Sequence, residues 1–227
     1  MITPFFSHSA VTEAVTNIFN ENSYNCDVLV LGIGNLLWAD EGFGVRAAEQ
    51  IYDNWLFHDG VRVMDGGTQG LYLLPYIEGC RRLLILDAVD YGLQPAMIKI
   101  IENEDVPAFM GAKKMSLHQT GFQEVLSLAK LRGWNPEHIA LIGIQPELIE
   151  DYGGSLTKSV KDKLPDVIEI ALKFLHQWGA MPVTRNVAPT EQERIAFSVL
   201  GMTQYESERP SEQVACRIGD NRFLFKG

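Results

Sequence analysis

Glu41, Asp87 and His118 put two carboxylates and an imidazole at the ends of three separate segments of this 227-residue chain. Oxygen and nitrogen donors of this kind suit a divalent first-row ion such as nickel, zinc or manganese, and do not make a soft, thiolate-only site. Three protein ligands leave a coordination position open for substrate or water. Each residue also has a plainer reading. Glu41 is then the partner of a helix dipole, Asp87 a turn-forming acid and His118 a surface or helix-start histidine. The choice turns on whether the elements carrying them converge.

The first element is the apolar run Val28-Leu29-Val30-Leu31. It leads into Gly32-Ile33-Gly34-Asn35-Leu36-Leu37-Trp38-Ala39-Asp40-Glu41-Gly42-Phe43-Gly44 and then into the helical spacing Val45, Ala48, Tyr52, Trp55. This is a strand, a glycine-rich turn and a helix. Two glycines after a first strand suggest a dinucleotide-binding turn. The third glycine of that fingerprint falls at Leu37, however, and Asp40 and Glu41 stand where phosphates need bare amides. Such a turn repels a nucleotide and attracts a cation. In the plainer reading Asp40 caps the helix and Glu41 is a first-turn acid.

Downstream, residues 61–64 form a short strand ending in Asp65-Gly66-Gly67-Thr68-Gln69-Gly70, and residues 71–77 a short apolar helix closed by Gly79. Arg82-Leu83-Leu84-Ile85-Leu86 is a continuous apolar run, as in a strand buried on both faces, and it ends in Asp87. Residues 97–101 read as a further strand and 102–116 as irregular. His118 opens a helix carrying Phe122, Val125, Leu126 and Ala129, with Gly133 as its stop. Residues 139–144 are the last clear strand. Residues 156–178 have helical period, with Pro165 marking a break or a fresh first turn.

Alternating strands and helices predict a doubly wound α/β domain: a mostly parallel central sheet with helices on both faces, in three layers. Ligands of such sheets sit outside the carboxyl ends of the strands, where this chain carries Glu41, Asp65 and Asp87. The predicted organisation is a leader of unknown role at 1–26, the α/β domain at 27–182 and an appendage at 183–227. In the appendage, Thr190 to Glu193 reads as a capping box for a short helix ended by Gly201, and residues 202–227 show no stable period. The appendage is expected to be packed on the domain or partly disordered.

Composition narrows the function. A hydrophobic content of 46% supports one substantial core. Against 19 basic residues stand 29 acidic ones, a net charge of -10 that disfavours nucleic acid or an anionic membrane as partner. No apolar run approaches a membrane span, and the first residues lack the basic and apolar regions of a secretion signal, so the expected location is cytoplasmic. Cys26, Cys80 and Cys216 are widely spaced with no Cys-x-x-Cys pair, which argues against a disulfide framework or a thiolate zinc site. Arg81 and Arg82 would lower the pKa of Cys80, but that thiol begins a strand, at the wrong edge for the acids. Neither a Gly-x-Ser-x-Gly elbow nor a His-Glu-x-x-His helix is present.

Four ordered motifs then carry a resemblance. The run at 32–44, Asp-Gly-Gly-Thr-Gln-Gly at 65–70, Asp-Ala-Val-Asp-Tyr-Gly at 87–92 and Met-Ser-Leu-His-Gln-Thr-Gly at 115–121 together resemble the nickel-iron hydrogenase maturation endopeptidases. Trp38 and the segment before His118 look most like the uptake-hydrogenase branch. The match runs from about Asp27 to Trp178. The resemblance implies a cytoplasmic peptidase that removes a C-terminal extension from the hydrogenase large-subunit precursor after nickel insertion. It assigns Glu41, Asp87 and His118 as the catalytic, metal-contacting residues. It also implies that nickel arrives in the substrate, held by that protein's cysteines, so that the free enzyme is metal-free. Asp65 and Asp40 enter as candidates for general base or for supporting the trio. The alternative is a nickel-binding maturation chaperone or scaffold, which would use the same trio and cleave nothing. The leader and the long tail depart from the compact family pattern.

Overall fold

A computed structural model describes residues 24–107, 117–190, 192–195 and 200–209, with residues 117–120 described by their backbone alone. The leader call therefore lies almost wholly outside the described residues. Five strands form the central sheet: β1 (Cys26–Ile33), β3 (Val61–Gly67), β4 (Cys80–Ala88), β5 (Ile98–Glu102) and β6 (His138–Ile144), in the spatial order β3-β1-β4-β6-β5. The first four in that order are parallel, and β5 pairs antiparallel with β6 at the edge. A parallel return would need a crossover of a dozen or more residues, usually a helix. The chain has only residues 89–97 between β4 and β5, so it re-enters from the same edge and runs backwards.

The period of two along each strand supplies both faces of the sheet. Val28, Val30, Leu84, Leu86, Ala140 and Ile142 pack on one side with α1 (Phe43–Asn54) and α5 (Leu164–Gln177). Leu29, Leu31, Leu83, Ile85, Ile139 and Leu141 pack on the other, with α2 (Leu74–Glu78) and α3 (Leu117–Leu131). The three-layer α/β architecture expected from the sequence is the one observed. Contact between α1 and the sheet is close enough that a β-carbon on Gly44 would lie 2.0 Å from the Leu86 carbonyl oxygen. Only glycine fits there, and the start of α1 is thereby seated on the end of β4.

Local boundaries differ from expectation where backbone geometry overrides hydrophobic period. The helix expected at 71–77 is a 3₁₀ turn, Gly70–Leu73, followed by α2. The strand expected at 61–64 continues through Asp65 to Gly67, because β1 offers hydrogen-bonding partners that far. Residues 156–178 divide into α4 (Lys158–Lys161) and α5, and Pro165 lies in the first turn of α5, where a missing N–H costs nothing.

The described part of the appendage is packed on the domain. β7 (Val183–Thr184) pairs with β2 (Trp55–Leu56). Contrary to the reading of 202–227 as lacking periodic structure, Met202–Ser207 forms a helix, α6, whose six residues are too few to reveal a period. The appendage packs Ile195 and Met202 against the core and adds polar contacts: Lys161 pairs with Glu206 at 2.8 Å, Arg194 with Asp53 at 2.9 Å, and the Arg46 guanidinium lies 5.7 Å from the Tyr205 ring centre. The Thr190 N–H and hydroxyl both donate to Glu193, as in a capping box, but most of the helix expected after it lies outside the described residues. Partly exposed ion pairs are worth about 0–1 kcal/mol each. A chain ending at Asn186 is therefore expected to keep its circular dichroism spectrum and to lose roughly 1–3 kcal/mol of stability in thermal melts. Complete unfolding of that chain would show that the tail is part of the core.

Candidate active site

The turn after β1 is fixed before its side chains are considered. The Gly34 N–H donates to the Gly67 carbonyl at 3.2 Å, tying the ends of β1 and β3, and the Asn35 N–H donates to the Glu41 carbonyl at 3.1 Å, closing the loop on itself. Gly34 has φ +141°, and a β-carbon there would stand 1.9 Å from the Glu41 oxygen, so the position requires glycine. Ala39 sits at φ 40°, a left-handed conformation uncommon for a residue with a side chain. That conformation begins the 3₁₀ turn Ala39–Gly42, which presents Asp40 inward and leaves Glu41 partly accessible.

Asp40 does not cap α1. The N-cap is Gly42, and no side chain bonds there. Instead Asp40 is completely buried and accepts four hydrogen bonds from a distant loop: the N–H groups of Glu147 and Leu148 at 2.9 Å, the Thr157 N–H at 2.7 Å and the Thr157 hydroxyl at 3.0 Å. Its own N–H donates to the Leu148 carbonyl. Trp38 bridges Tyr152 and Gly154 in the same loop, with the Trp38 and Tyr152 rings 5.3 Å apart. Asp40 therefore locks the turn carrying Glu41 to the loop after β6, and it is not available as a general base.

Asp87 is the penultimate residue of β4 and is completely buried. It stands one residue beyond the Gly32–Leu86 pair and directly opposite Gly143 of β6. Alternation from Leu83 and Ile85 puts its side chain on the α3 face. The Ala39–Gly42 turn packs against β4, so the Glu41 and Asp87 segments meet at the carboxyl edge of the sheet.

His118 is the second residue of α3. The end of that helix lies near the amino edge, since Trp134 just beyond it donates its indole N–H to the Cys80 carbonyl at the start of β4. Fifteen helical residues span about 22 Å, which carries the beginning of α3 back to the carboxyl edge. There α3 also packs against the Gly70–Leu73 turn. The backbone thus brings the His118 position to the edge and the face occupied by Asp87. Its side chain is outside the described residues, and among the described residues no three His, Cys, Asp or Glu side chains form a metal-holding group.

Asp65 lies on the opposite face. Alternation from Val61 and Val63 turns it toward α1, where the positive charge of Arg46 and the Gly67 N–H favour its charged form, while burial, the larger effect, raises its pKa. Arg46 is 3% exposed, pairs with Glu49 at 2.9 Å and donates to the Leu200 carbonyl. Asp65 thus belongs with a buried charge cluster beneath the appendage and does not converge with Asp87. A cavity of about 380 Å³ between α1 and the appendage is lined by this cluster's Arg46 and Glu49, with Asp53 and Arg194. Cys80, for which the adjacent arginines suggest a lowered pKa, has a pKa raised instead, chiefly by burial, and its thiol donates to the Ile77 carbonyl. It is a structural thiol at the amino edge.

One polar residue near the site escaped the sequence reading. Gln145 is 7% exposed; its side-chain oxygen accepts from the N–H groups of Tyr91 at 2.7 Å and Leu93 at 3.1 Å, and its amide donates to Asp90 at 3.0 Å. Gln145 thereby fixes the loop that follows Asp87. In the sequence only Pro146 marks that spot, as the end of a strand.

Comparison with known proteins identifies the family. The family model described as hydrogenase maturation protease matches residues 45–174. The hydrogenase expression/formation protein HoxM of Cupriavidus necator is 53% identical over 197 residues, covering 87% of this chain and 98% of that protein. HupD of Thiocapsa roseopersicina, a protein of the same description, is 50% identical over 198 residues, covering 87% of this chain and 90% of that one. Among solved structures, the hydrogenase maturating endopeptidase HybD from E. coli superposes with a TM-score of 0.67 at 34% identity, covering 70% of this chain and 98% of HybD. Matched by that model over more than half of its length and covering nearly the whole length of these relatives, the chain belongs to the hydrogenase maturation protease family.

Proposed function

We propose that this protein is an endopeptidase that removes the C-terminal extension of a nickel-iron hydrogenase large-subunit precursor after nickel has been inserted, with Glu41, Asp87 and His118 contacting the nickel held in that substrate. The observation that carries this reading is the completely buried Asp87 carboxyl group at the carboxyl edge, beside the Glu41 turn and on the face where α3 begins. The printed names of the relatives, hydrogenase expression/formation protein and hydrogenase maturating endopeptidase, support the substrate class.

The edge offers two carboxylates and an imidazole. They are the oxygen and nitrogen donors that a divalent first-row ion accepts alongside other ligands. Nickel in the precursor supplies a fixed attachment point beside the scissile bond, and positive charge for its carbonyl or for an attacking water. The enzyme's residues then orient the precursor, and their rigid mounting limits cleavage to a substrate already carrying its metal. Among the described residues no helix is long and apolar enough to cross a membrane. We place the reaction in the cytoplasm, with no nucleic acid and no membrane insertion; the net charge of -10 supports this.

The test is intact-mass analysis of the precursor after incubation with this protein, in nickel-loaded and nickel-free forms. Loss of a C-terminal peptide from the loaded form only is the expected result. Cleavage of both forms would remove nickel from recognition. Cleavage of neither, with a competent precursor, would replace the peptidase by a non-catalytic nickel chaperone or scaffold.

A further inference from the structure

The carboxyl edge of the sheet carries exposed apolar side chains on both sides of its acids. In the order β3-β1-β4-β6, the Glu41 turn follows β1 and Asp87 stands near the end of β4, so both lie between the ends of β3 and β6. Beyond β3, the Gly70–Leu73 turn buries Leu73 but leaves Leu71 59% and Tyr72 84% exposed. Beyond β6, Leu148, Ile149 and Tyr152 are 38 to 46% exposed, and so is Leu37 at 41%, four residues before Glu41. The second group is firmly mounted. The Leu148 N–H donates to the Asp40 carboxylate and its carbonyl accepts from the Asp40 N–H; the Gly153 N–H donates to the Leu37 carbonyl at 2.8 Å, and the Tyr152 ring meets Trp38. Single exposed apolar residues are ordinary on a protein surface. Six of them, set on both sides of one acidic edge, mark an interaction surface.

We propose that Leu71 and Tyr72 on one side, and Leu37, Leu148, Ile149 and Tyr152 on the other, form a two-sided docking rim for the large-subunit precursor, whose chain crosses the strand ends between them. This rests on the functional reading given above and adds to it the surface that holds the protein substrate. Position argues for that occupant: whatever seats on both halves of the rim covers Glu41 and Asp87, and a second copy of this chain seated there would close the site. Charge argues for it too. Residues 69–74 and 147–152 contain no lysine or arginine, and the second stretch contains Glu147, Glu150 and Asp151. Asp151 is paired with Arg209, whereas Glu147 and Glu150 are exposed. An apolar segment with basic or neutral residues fits this rim, and an acidic one is repelled. Three strand spacings separate β3 from β6, roughly 14 Å, which an extended chain crosses in about four or five residues. Because the Leu37 and Leu148 backbones are already fixed, docking costs that half of the rim little ordering entropy.

Leu148→Ser combined with Ile149→Ser, and separately Tyr72→Ser, trim the two halves of the rim without removing a backbone hydrogen bond. With nickel-loaded precursor, each is expected to raise KM about tenfold or more, with kcat within about twofold and the melting temperature unchanged. Leu131→Ser is the control, since Leu131 is 85% exposed at the end of α3 that lies near the amino edge; it should keep the wild-type KM. Wild-type KM in either trimmed variant would overturn the two-sided rim. An equal rise in KM for Leu131→Ser would also overturn it, by making the effect one of general surface hydrophobicity. Sedimentation of the wild type as a dimer that the trimmed variants dissociate, with KM unchanged, would turn the rim into a contact between copies and overturn the proposal. Should the wild type bind loaded precursor without cleaving it, the functional reading fails on its own. The affinity of that uncut precursor then decides the rim: about tenfold weaker for both trimmed variants upholds it, and equal to wild type overturns it.

Discussion

Replacing Asp87 with asparagine is expected to abolish precursor processing while leaving the protein folded. Asparagine has nearly the same shape, so β4 keeps its pairing with β1 and β6, and Leu86 and Ala88 on the opposite face keep their places in the core. What is lost is the anionic oxygen. The amide that replaces it is a poor ligand for a divalent ion and presents N–H groups where a cation must sit. Altering a group that merely supports a metal ligand costs roughly 10–100-fold, so loss of a ligand itself should exceed about 100-fold in the rate at which the C-terminal peptide is released from nickel-loaded precursor. The measurement is an initial rate by intact mass, paired with a circular dichroism melt. Processing within about threefold of wild type would exclude Asp87 from the reaction, and with it the assignment of the edge as the active site.

The second large effect concerns stability. Asp40→Ala removes an acceptor from four donors in the 147–157 loop, three of them backbone N–H groups that the alanine cannot satisfy. Each such bond to a carboxylate contributes on the order of 1.5–3 kcal/mol, and stranded donors add their desolvation cost where water does not reach them. Partial reopening of the loop to water offsets some of this, so the net loss should be about 3 kcal/mol. For a protein of this size that lowers the melting temperature by roughly 6–12 °C. Asp40→Asn should be nearly as damaging, because one oxygen becomes a donor facing donors. Amide hydrogen exchange at Glu147, Leu148 and Thr157 should accelerate far more than in β1 or β4. A variant that melts like wild type with those amides still protected would show that the loop holds itself.

These two aspartates mark how far the sequence can be read. Asp87 was legible because a continuous apolar run ending in an acid has few readings in an α/β chain: the strand is buried on both faces, and its end emerges at the carboxyl edge, where such sheets bind their ligands. Asp40 was misread because Ser, Thr, Asn and Asp before a helix are ordinary caps, and nothing local distinguishes a cap from an acceptor for a loop 107–117 residues away. Asp65 was grouped with Asp87 because both end strands, yet the period of two sends them to opposite faces.

By itself the sequence determined the order and type of the main elements and the three-layer sheet, because hydrophobic period and glycine-bounded turns are local properties that survive being read one segment at a time; the family came from the resemblance of four ordered motifs. It also determined which strand ends carry acids. Only the tertiary structure decided which of those acids meet. Whether two side chains converge depends on register, on the face each occupies and on loops that close at long range. The free energy of such contacts appears only when the partners are brought together, so no local pattern encodes it.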